Sequence, residues 1–586
     1  MSEFPATHNP GARAETQQGL QNGDSGDLWR FVPALAFTVL AGPVLIGLVF
    51  VLLPAFGYLP AIGGTALSVD PWRQLFAEPG LWRSAIISFA AGLLTATSSL
   101  TITGLFLAGF HGSRAYAAMR RVISPLLAVP HAAAALGLAF LIAPSGLVFR
   151  ALAELGLGFD RPPNLLTVHD TWGLAMMAGL IIKEVPFLLL MCIAALPQIG
   201  PDHRIAVART LGYGPVTAWL KTVAPALYPH IRLPVLAVIA YSSSAVDMAI
   251  ILGPTNPPPL SAAVLRWQAD PDLSARFEAA AGALLQLGVT AAALALWLLG
   301  ERLIGYCSRP WLESGRRTAC DRILTWAGGA GMTTVAGLAT LGFICLGIWS
   351  TAVSWRFPGL LPQAFTTGNW TRVLQSASGP MLATLEIGAI STAFSFAVVL
   401  AALEHELHTG RPAGVWAMRL LYLPLLIPPV AFLFGLTVAA ETARLAPSVA
   451  LVSLGHIVFV LPYMYLSLSQ PYRKLDPRWS QAAKSLGAGA LRSFLTVRLP
   501  LLLTPCLTAI AVGFAVSAGQ YLATQQLGAG RITTLTTEAV ALASGGERPV
   551  IGVWALVQTL LPAAGFAIAV GLPRVLWRNR RAMLGS

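Results

Sequence analysis

Two short stretches of this chain, Ala206-Val-Ala-Arg-Thr-Leu-Gly212 and Gln481-Ala-Ala-Lys-Ser-Leu-Gly487, match each other position by position. A proline follows the glycine at the same distance in both copies, at Pro225 and Pro500. Two further matches precede them in the same order: Val185-Pro186-Phe187 with Leu461-Pro462-Tyr463, and Pro125-Leu-Leu-x-x-Pro130 with Pro424-Leu-Leu-x-x-Pro429. Three matches in one order indicate that the chain consists of two parallel repeats.

The composition places these repeats in a membrane. Of the 586 residues, 55% are apolar and only 11% are charged, whereas soluble domains carry about 25% charged residues. So few charges cannot cover a water-facing surface, which argues against a soluble enzyme, a disordered chain or a nucleic-acid-binding protein. A polytopic membrane protein is the class that remains.

Apolar runs long enough to cross a bilayer, about 20 residues each, recur along the chain. We place twelve spans near residues 31–55, 84–110, 121–145, 172–197, 228–253, 277–300, 328–354, 381–403, 416–440, 447–470, 501–527 and 550–573. An even number of spans puts both termini on one side, and most of the 38 Lys and Arg residues fall on that side. The positive-inside rule therefore predicts that both termini are cytoplasmic.

The predicted fold class is an all-α integral membrane protein with twelve transmembrane helices arranged as two parallel six-helix repeats. The predicted domains are a disordered cytoplasmic N-terminus over 1–28, a first repeat over 29–305, a cytoplasmic linker over 306–327 and a second repeat over 328–586. The first repeat contains extra residues around 145–170. We therefore expect the two halves to present unequal surfaces to the outside.

The repeated loop has the pattern of two short helices. Ala-Ala-x-x-Leu-Gly predicts a helix that ends at a glycine, and the second helix should continue until proline stops it. Small side chains and a basic residue at equivalent positions would suit docking of another protein on the cytoplasmic face. The predicted docking residues are Ala206, Ala208, Arg209, Gly212, Pro225, Gln481, Ala482, Ala483, Lys484, Gly487 and Pro500.

The loop resembles the EAA loop, Glu-Ala-Ala-x-x-x-Gly followed by Leu-Pro, of permease subunits of binding-protein-dependent ABC importers of the MetI-like superfamily. In the second copy Gln481 replaces the glutamate and Leu499-Pro500 is intact, whereas the first copy has Ala206, Val207 and Ala224-Pro225 at the corresponding positions. Two permease units in one chain are similar to the iron(III), thiamine and YnjC-type permeases. Val129-Pro-His-Ala-Ala-Ala-Ala-Leu-Gly137 and Ile142-Ala-Pro-Ser-Gly146 are most similar to the YnjC-type branch.

The resemblance implies a permease subunit in the bacterial cytoplasmic (inner) membrane that moves a small solute inward. It further implies two ABC ATPase subunits, one docked on each loop, and a periplasmic or extracellular solute-binding protein. ATP would be bound by the partner subunits, so we expect no cofactor, no catalytic residue and no nucleic-acid partner for this chain. The sequence agrees, because neither Lys221 nor Lys484 lies in a P-loop motif.

Four residues inside the predicted spans are candidates for the translocation path: Lys183, Glu184, Asp247 and Gln520. Ionisable groups in a bilayer are costly and often functional, but polar contacts between helices would explain them equally well. His131 and His456 are more typical of hydrogen bonds between helices, and no spacing of His, Cys and carboxylates predicts a metal site. Acidic groups on a path would suit a cationic solute such as thiamine or a polyamine.

Two other functions stay open at the level of sequence. Ion-gradient-driven secondary transporters are also commonly built from two six-helix halves, but the paired docking loops argue against this reading. A membrane-embedded enzyme would need clustered catalytic groups near one interface. We find no such constellation in the sequence.

Overall fold

The computed structural model describes residues 26–578 except 127, 158, 318, 319 and 412. The predicted disordered segment 1–28 lies almost entirely outside the described residues. The first thirteen helices are α1 Gly26–Ala55, α2 Asp70–Ala77, α3 Leu81–Phe110, α4 Arg114–Leu126, α5 His131–Ile142, α6 Leu147–Glu154, α7 Leu174–Ile199, α8 Pro201–Thr210, α9 Pro215–Thr222, α10 Ala224–Ser244, α11 Val246–Leu252, α12 Leu260–Gln268 and α13 Ala275–Glu313.

The remaining helices follow a similar order of long and short elements, except that the second half has no described counterpart of α6 and has two short helices in the place of α9. They are α14 Asp321–Thr351, α15 Gly368–Ser376, α16 Ser378–Thr409, α17 Val415–Leu426, α18 Pro429–Thr442, α19 Val449–Arg473, α20 Pro477–Ser485, α21 Ala490–Ser493, α22 Leu499–Leu501, α23 Leu503–Ala518, α24 Leu522–Gly528, α25 Leu535–Ala543 and α26 Arg548–Leu576. A 3₁₀ turn forms at Pro60–Ile62, and a π-helical turn at Phe494–Arg498 joins α21 to α22. Two short antiparallel strands, β1 Ala352–Ser354 and β2 Ala364–Phe365, follow α14.

One hydrogen bond is made in the same way in both halves. The Leu260 amide at the start of α12 donates to Ser88 Oγ at 2.9 Å, and the Leu535 amide at the start of α25 donates to Thr384 Oγ1 at 3.0 Å. The first amides of a helix lack partners within the helix. A hydroxyl on the long helices α3 and α16 therefore fixes a short helix at the same place in each half.

Among the described residues, nine helices are long and apolar enough to cross a membrane, and the number rises to twelve if each of three bent helix pairs is one span. The two helices of these pairs meet at 66°, 87° and 78°. The predicted spans near 121–145, 228–253, 416–440 and 501–527 each contain a break, since helices end within them at Leu126, Ser244, Leu426 and Ala518. Pro130 and Pro428 have an extended backbone at the first and third breaks. Pro428 directly precedes Pro429, and the residue before a proline is disfavoured in helical conformation.

The first long helix of each half packs against the other half through glycines. A Cβ atom on Gly435 of α18 would lie 1.7 Å from the carbonyl oxygen of Gly47 in α1. In the matching crossing of α14 over α5, a Cβ on Gly342 would lie 3.0 Å from the carbonyl carbon of Gly137. Small residues let helix backbones approach closely in a membrane. The two halves therefore share one packed interior, in which Phe432 is fully buried against α1.

The extra segment of the first half is docked on the second half by Arg150. This side chain of α6 is 1% exposed and donates to the carbonyl oxygens of Trp355, Arg356 and Gly359 at 3.0, 2.9 and 2.7 Å. Its guanidinium also lies 4.7 Å from the centre of the Trp355 ring, a cation–π distance. Only residues 443–448 connect α18 to α19, whereas 143–173 connect α5 to α7. The two halves therefore differ at this connection.

We predict that Gly435→Ala destabilises the fold by about 1–3 kcal/mol, because the added methyl group forces α1 and α18 apart. Gly337→Ala in α14 is the matched control, since no atom lies within 4 Å of a Cβ at that position. Thermal unfolding followed by size-exclusion chromatography of the detergent-solubilised chain measures the difference. An equal melting temperature for the two variants would contradict the close crossing.

Candidate functional site

The two matched loops have the same backbone geometry. Gly212 and Gly487 both adopt a left-handed conformation, with φ of +81° and +79°. The next amide in each loop closes the preceding helix: Tyr213 donates to the Ala208 carbonyl at 3.3 Å and Ala488 to the Ala483 carbonyl at 3.0 Å. This is the Schellman type of helix ending. The predicted short helices that end at a glycine are confirmed in both loops.

Each loop exposes an apolar side chain directly before its glycine. Leu211 is 60% exposed and Leu486 is 89% exposed. Ala206, Arg209, Gln481, Ala482 and Lys484 are exposed as well. Two predicted docking residues need correction: Ala208 is 2% and Ala483 9% exposed, because their side of the helix packs against the protein itself. Ala208 and Ala483 therefore pack the loops against the rest of the protein and are not accessible to a partner.

The segment between the halves holds the first loop through Asp321. Its Oδ2 accepts from the amides of Val216 and Thr217 at 3.0 and 3.2 Å, and the Thr217 hydroxyl donates to Oδ1. These amides belong to the first turn of α9, where donors lack partners within the helix and a negative charge is favourable. A residue at the start of α14 therefore caps a helix of the first loop.

Two basic residues add further bonds between this segment and the first loop. Lys221 Nζ donates to the carbonyl oxygen of Trp311 at 2.9 Å and also to that of Ser314. Arg317 Nη2 donates to the Leu211 carbonyl at 3.0 Å. The predicted linker 306–327 is thus mostly helical, since α13 extends into it to Glu313 and α14 begins at Asp321. The bonds of this segment hold the first loop against the protein.

The second loop is held instead by a carboxylate on a long helix. Arg498 Nη1 lies 2.8 and 2.5 Å from the two oxygens of Glu404 in α16, and its Nε donates to Ser480 Oγ at 2.8 Å. The Tyr472 hydroxyl donates to the same carboxylate. Both charged side chains of the pair are mostly buried. This network connects α16, α19 and α20 to the turn that precedes α22.

The path candidates of the first half lie at the contact between the halves. Lys183 and Glu184 diverge: Lys183 Nζ donates to the carbonyl oxygens of Leu126 and Val129 at 3.1 and 2.5 Å, between α4 and α5. Glu184 lies 3.7 Å from His131 Nε2. The His131 ring packs on Tyr241 with centroids 4.7 Å apart.

Asp247 follows the break between α10 and α11 and approaches the same tyrosine. The Tyr241 hydroxyl lies 3.4 Å from its Oδ1, which is a long hydrogen bond. The fourth candidate, Gln520, lies in the equivalent break between α23 and α24 and is partly buried. Its neighbour Tyr521 interacts electrostatically with Asp247. The structure therefore brings Glu184 and Asp247 together around Tyr241, while Lys183 is directed elsewhere.

His456 has the structural role expected for a lone intramembrane histidine. Its Nδ1 lies 2.8 Å from Ser517 Oγ and its Nε2 lies 2.9 Å from Thr524 Oγ1. Both ring nitrogens are therefore engaged between α19, α23 and α24. Within the described ranges, no group of three His, Cys, Asp or Glu residues is placed to hold a metal ion.

Comparison with known proteins places this architecture in a family. Residues 393–572 match the model of the binding-protein-dependent transport system inner membrane component. The chain is 30% identical to the inner membrane ABC transporter permease protein YnjC of Escherichia coli over 541 residues, which cover 90% of this chain and 97% of that protein. The chain belongs to the ABC transporter permease family. It is a membrane-embedded permease subunit of an ABC importer.

Two further relatives show how the chain is organised. A putative 2-aminoethylphosphonate transport system permease protein, PhnV of Salmonella typhimurium, is 28% identical over 265 residues, which cover 98% of PhnV but only 44% of this chain. A spermidine/putrescine transport system permease protein PotC homologue of Mycoplasma genitalium is 31% identical over 102 residues, 17% of this chain and 34% of that protein. PhnV thus corresponds to less than half of this permease, as expected if two permease units are fused.

Sequence reasoning missed the residues that hold the loops in this permease. Asp321 and Glu404 make their main contacts with residues about a hundred positions away in the chain, and local patterns do not reveal such pairs. Glu404 did carry a signal, because it is an acidic residue near the end of a long apolar span. Asp321 lies among arginines in the linker, where an ordinary surface residue was the simpler interpretation.

We expect Asp321→Ala to loosen the first loop of this permease, at a cost of about 1 kcal/mol for a lost helix cap. Hydrogen exchange of the amides in 214–222 should become faster, while that of 477–501 stays unchanged. Asp272→Ala is the control, because Asp272 also accepts a backbone amide, from Ser274 at 2.9 Å, but far from the loops. Unchanged exchange in 214–222 would show that Asp321 does not cap α9.

Glu404→Gln should instead affect the second loop and leave the first loop unchanged. It leaves the largely buried Arg498 without a charge partner, so we predict faster exchange in 477–501 and a lower melting temperature. The double variant Glu404→Gln with Arg498→Met should recover part of that loss, because no unpaired charge remains. Glu547→Gln, which breaks an exposed pair with Arg372, should change neither quantity. A single variant that is no less stable than this control would contradict the network.

Proposed function

We propose that this permease has twelve spans in two parallel six-helix units, with both termini in the cytoplasm. The three bent helix pairs each count as one span in this layout. Two observations support this layout. The order of long and short helices is similar in both halves, and equivalent hydrogen bonds join the start of α12 to Ser88 and the start of α25 to Thr384. The first unit would extend over 29–305 and the second over 328–586.

The central proposal is that each matched loop docks one ATPase subunit. The observation that carries it is the identical presentation of an exposed leucine, Leu211 or Leu486, before a left-handed glycine at the end of a short helix. A single exposed apolar side chain is common on protein surfaces, but the same leucine at the same place in both loops favours a shared partner. The structure of these loops does not depend on the glutamates of the EAA pattern, which are absent from both copies.

In this proposal ATP is bound and hydrolysed only by the docked subunits, and this chain holds no cofactor. Closure of the two ATPase subunits would move the loops together with the elements tied to them: α14 through Asp321 in the first half, and α16 through Glu404 in the second. These helices cross between the halves, so the movement reaches the polar residues around Tyr241. A solute-binding protein would deliver the solute at the opposite end, from the periplasm or the outside.

We predict that Leu211→Arg and Leu486→Arg each remove one ATPase subunit from the complex, and that the double variant removes both. A large charged side chain cannot be desolvated in an apolar contact without a partner. The complex is purified from the membranes of its own host into lipid nanodiscs. Native mass spectrometry counts the ATPase copies, and vanadate-sensitive ATP hydrolysis measures their activity.

Leu361→Arg is the matched control, because Leu361 is similarly exposed but lies between β1 and β2. It should leave both the copy number and the ATPase activity unchanged. Wild-type ATPase content in the double variant would refute docking through these loops. Solute uptake into vesicles that needs an ion gradient and no ATP would favour the secondary transporter instead.

A further inference from the structure

Glu184 and Asp247 are buried carboxylates with unused hydrogen-bonding capacity. Glu184 is 6% and Asp247 7% exposed. In the part of the chain that the structure describes, no hydrogen bond reaches the Glu184 carboxylate, whose basic neighbours are His131, at 3.7 Å, and Lys183. Asp247 has only the long contact with the Tyr241 hydroxyl. Burying a carboxylate without hydrogen bonds is unfavourable, so a ligand that donates hydrogen bonds to these oxygens would be favoured here.

Aromatic residues of both halves lie within electrostatic range of the two carboxylates. Glu184 interacts electrostatically with Tyr241 and with Tyr463 of α19. Asp247 interacts electrostatically with Tyr241 and Tyr521. The first half thus supplies the charges and one ring, while the second half supplies two more rings. Negative groups combined with π faces are the chemistry that recognises organic cations.

The basic groups near the two carboxylates offset the charge of Glu184 but not that of Asp247. Lys183 interacts electrostatically with Glu184, although its ammonium group donates its hydrogen bonds to the carbonyls of Leu126 and Val129. His131 approaches Glu184 only, at a distance too long for a hydrogen bond. Asp247 has no basic partner among the residues described. The cluster therefore keeps an excess of negative charge on the Asp247 side.

The location of the cluster is that of a transport site. It lies where α5, α7, α10 and α11 of the first half meet α19 and the break before α24 of the second half. Substrate sites of membrane transporters commonly lie between two repeats, at helices that are interrupted. Both halves contribute residues from an interrupted helix: Asp247 follows the break between α10 and α11, and Tyr521 lies in the break between α23 and α24.

We propose that Glu184, Asp247, Tyr241, Tyr463 and Tyr521 form a binding site for a small organic cation that this permease transports. The carboxylates pair with a protonated or quaternary nitrogen, and the rings cover its apolar faces. A neutral solute would leave Asp247 without a charge partner, and an anion would be repelled by it. This inference rests on the proposed function, because it places the site on the path of an importer.

The test measures binding to the full chain in lipid nanodiscs. Choline serves as a quaternary cation and putrescine as a primary diammonium cation; the uncharged carbon analogue of choline and succinate are the matched neutral and anionic probes. We expect a cation to raise the melting temperature in a saturable manner, while the neutral and anionic probes have no effect. Glu184→Gln and Asp247→Asn should each weaken cation binding at least about tenfold, because each removes a buried charge partner.

Tyr463→Leu should also weaken cation binding, whereas Tyr463→Phe should retain most of it, because the phenyl face is preserved. Glu386→Gln is the charge control, since Glu386 is an exposed acid on α16 and should keep wild-type affinity. The proposal is overturned if neither cation binds, if the neutral analogue of choline binds equally well, or if Glu184→Gln with Asp247→Asn binds cations as wild type does.

The same variants separate this inference from the proposed function. Glu184→Gln and Asp247→Asn should keep both ATPase copies, because neither residue lies near the loops. Loss of cation binding with intact ATPase docking supports the site. Failure of cations to bind the wild-type chain while both ATPases remain would refute the site alone. Cation binding by a chain that never associates with an ATPase would refute the proposed function and leave the site standing.

Discussion

The structure depends on two close helix crossings, α1 over α18 at Gly47 and Gly435, and α14 over α5 at Gly342 and Gly137. Lipid tails are as apolar as leucine, so the hydrophobic effect does not drive helices together within a bilayer, and close packing has to do so. The glycines let the backbones of different halves touch. Since α5 and α18 both begin after an extended proline, the crossings also fix where these helices begin, with His131 at the start of α5 beside Glu184.

The two loops have the same surface but different supports. The first loop is bonded to the segment that joins the halves, through Asp321, Arg317 and Lys221. The second is bonded to Glu404 on α16 through Arg498. A force applied to equivalent surfaces therefore enters the membrane part through α14 in one half and through α16 in the other. The two loops thus have similar surfaces but are bonded to different helices of the membrane part.

Much of this organisation follows from the sequence, because long apolar runs, glycine-ended helices and repeated motifs are local signals. The membrane class, the two matched loops and their left-handed glycines at 212 and 487 were predictable for this reason. The breaks at Pro130 and Pro428 were not, because other prolines in the apolar runs, such as Pro186 and Pro462, lie inside continuous helices. The inward-facing Ala208 and Ala483, and the convergence of Glu184 and Asp247 on Tyr241, depend on tertiary packing between distant segments.

The joining of both halves in one chain has a consequence for charge. A permease assembled from two identical subunits would carry every acidic group twice, and four carboxylates around one axis would repel each other. Here the positions matching Lys183 and Glu184 are the apolar Phe459 and Val460, and the break matching Asp247 offers the uncharged Gln520. Covalent fusion through α13 and α14 thus lets a nearly two-fold molecule present its acids from one side only. A solute bound in the proposed site would have a defined orientation, with its charged end toward the first half.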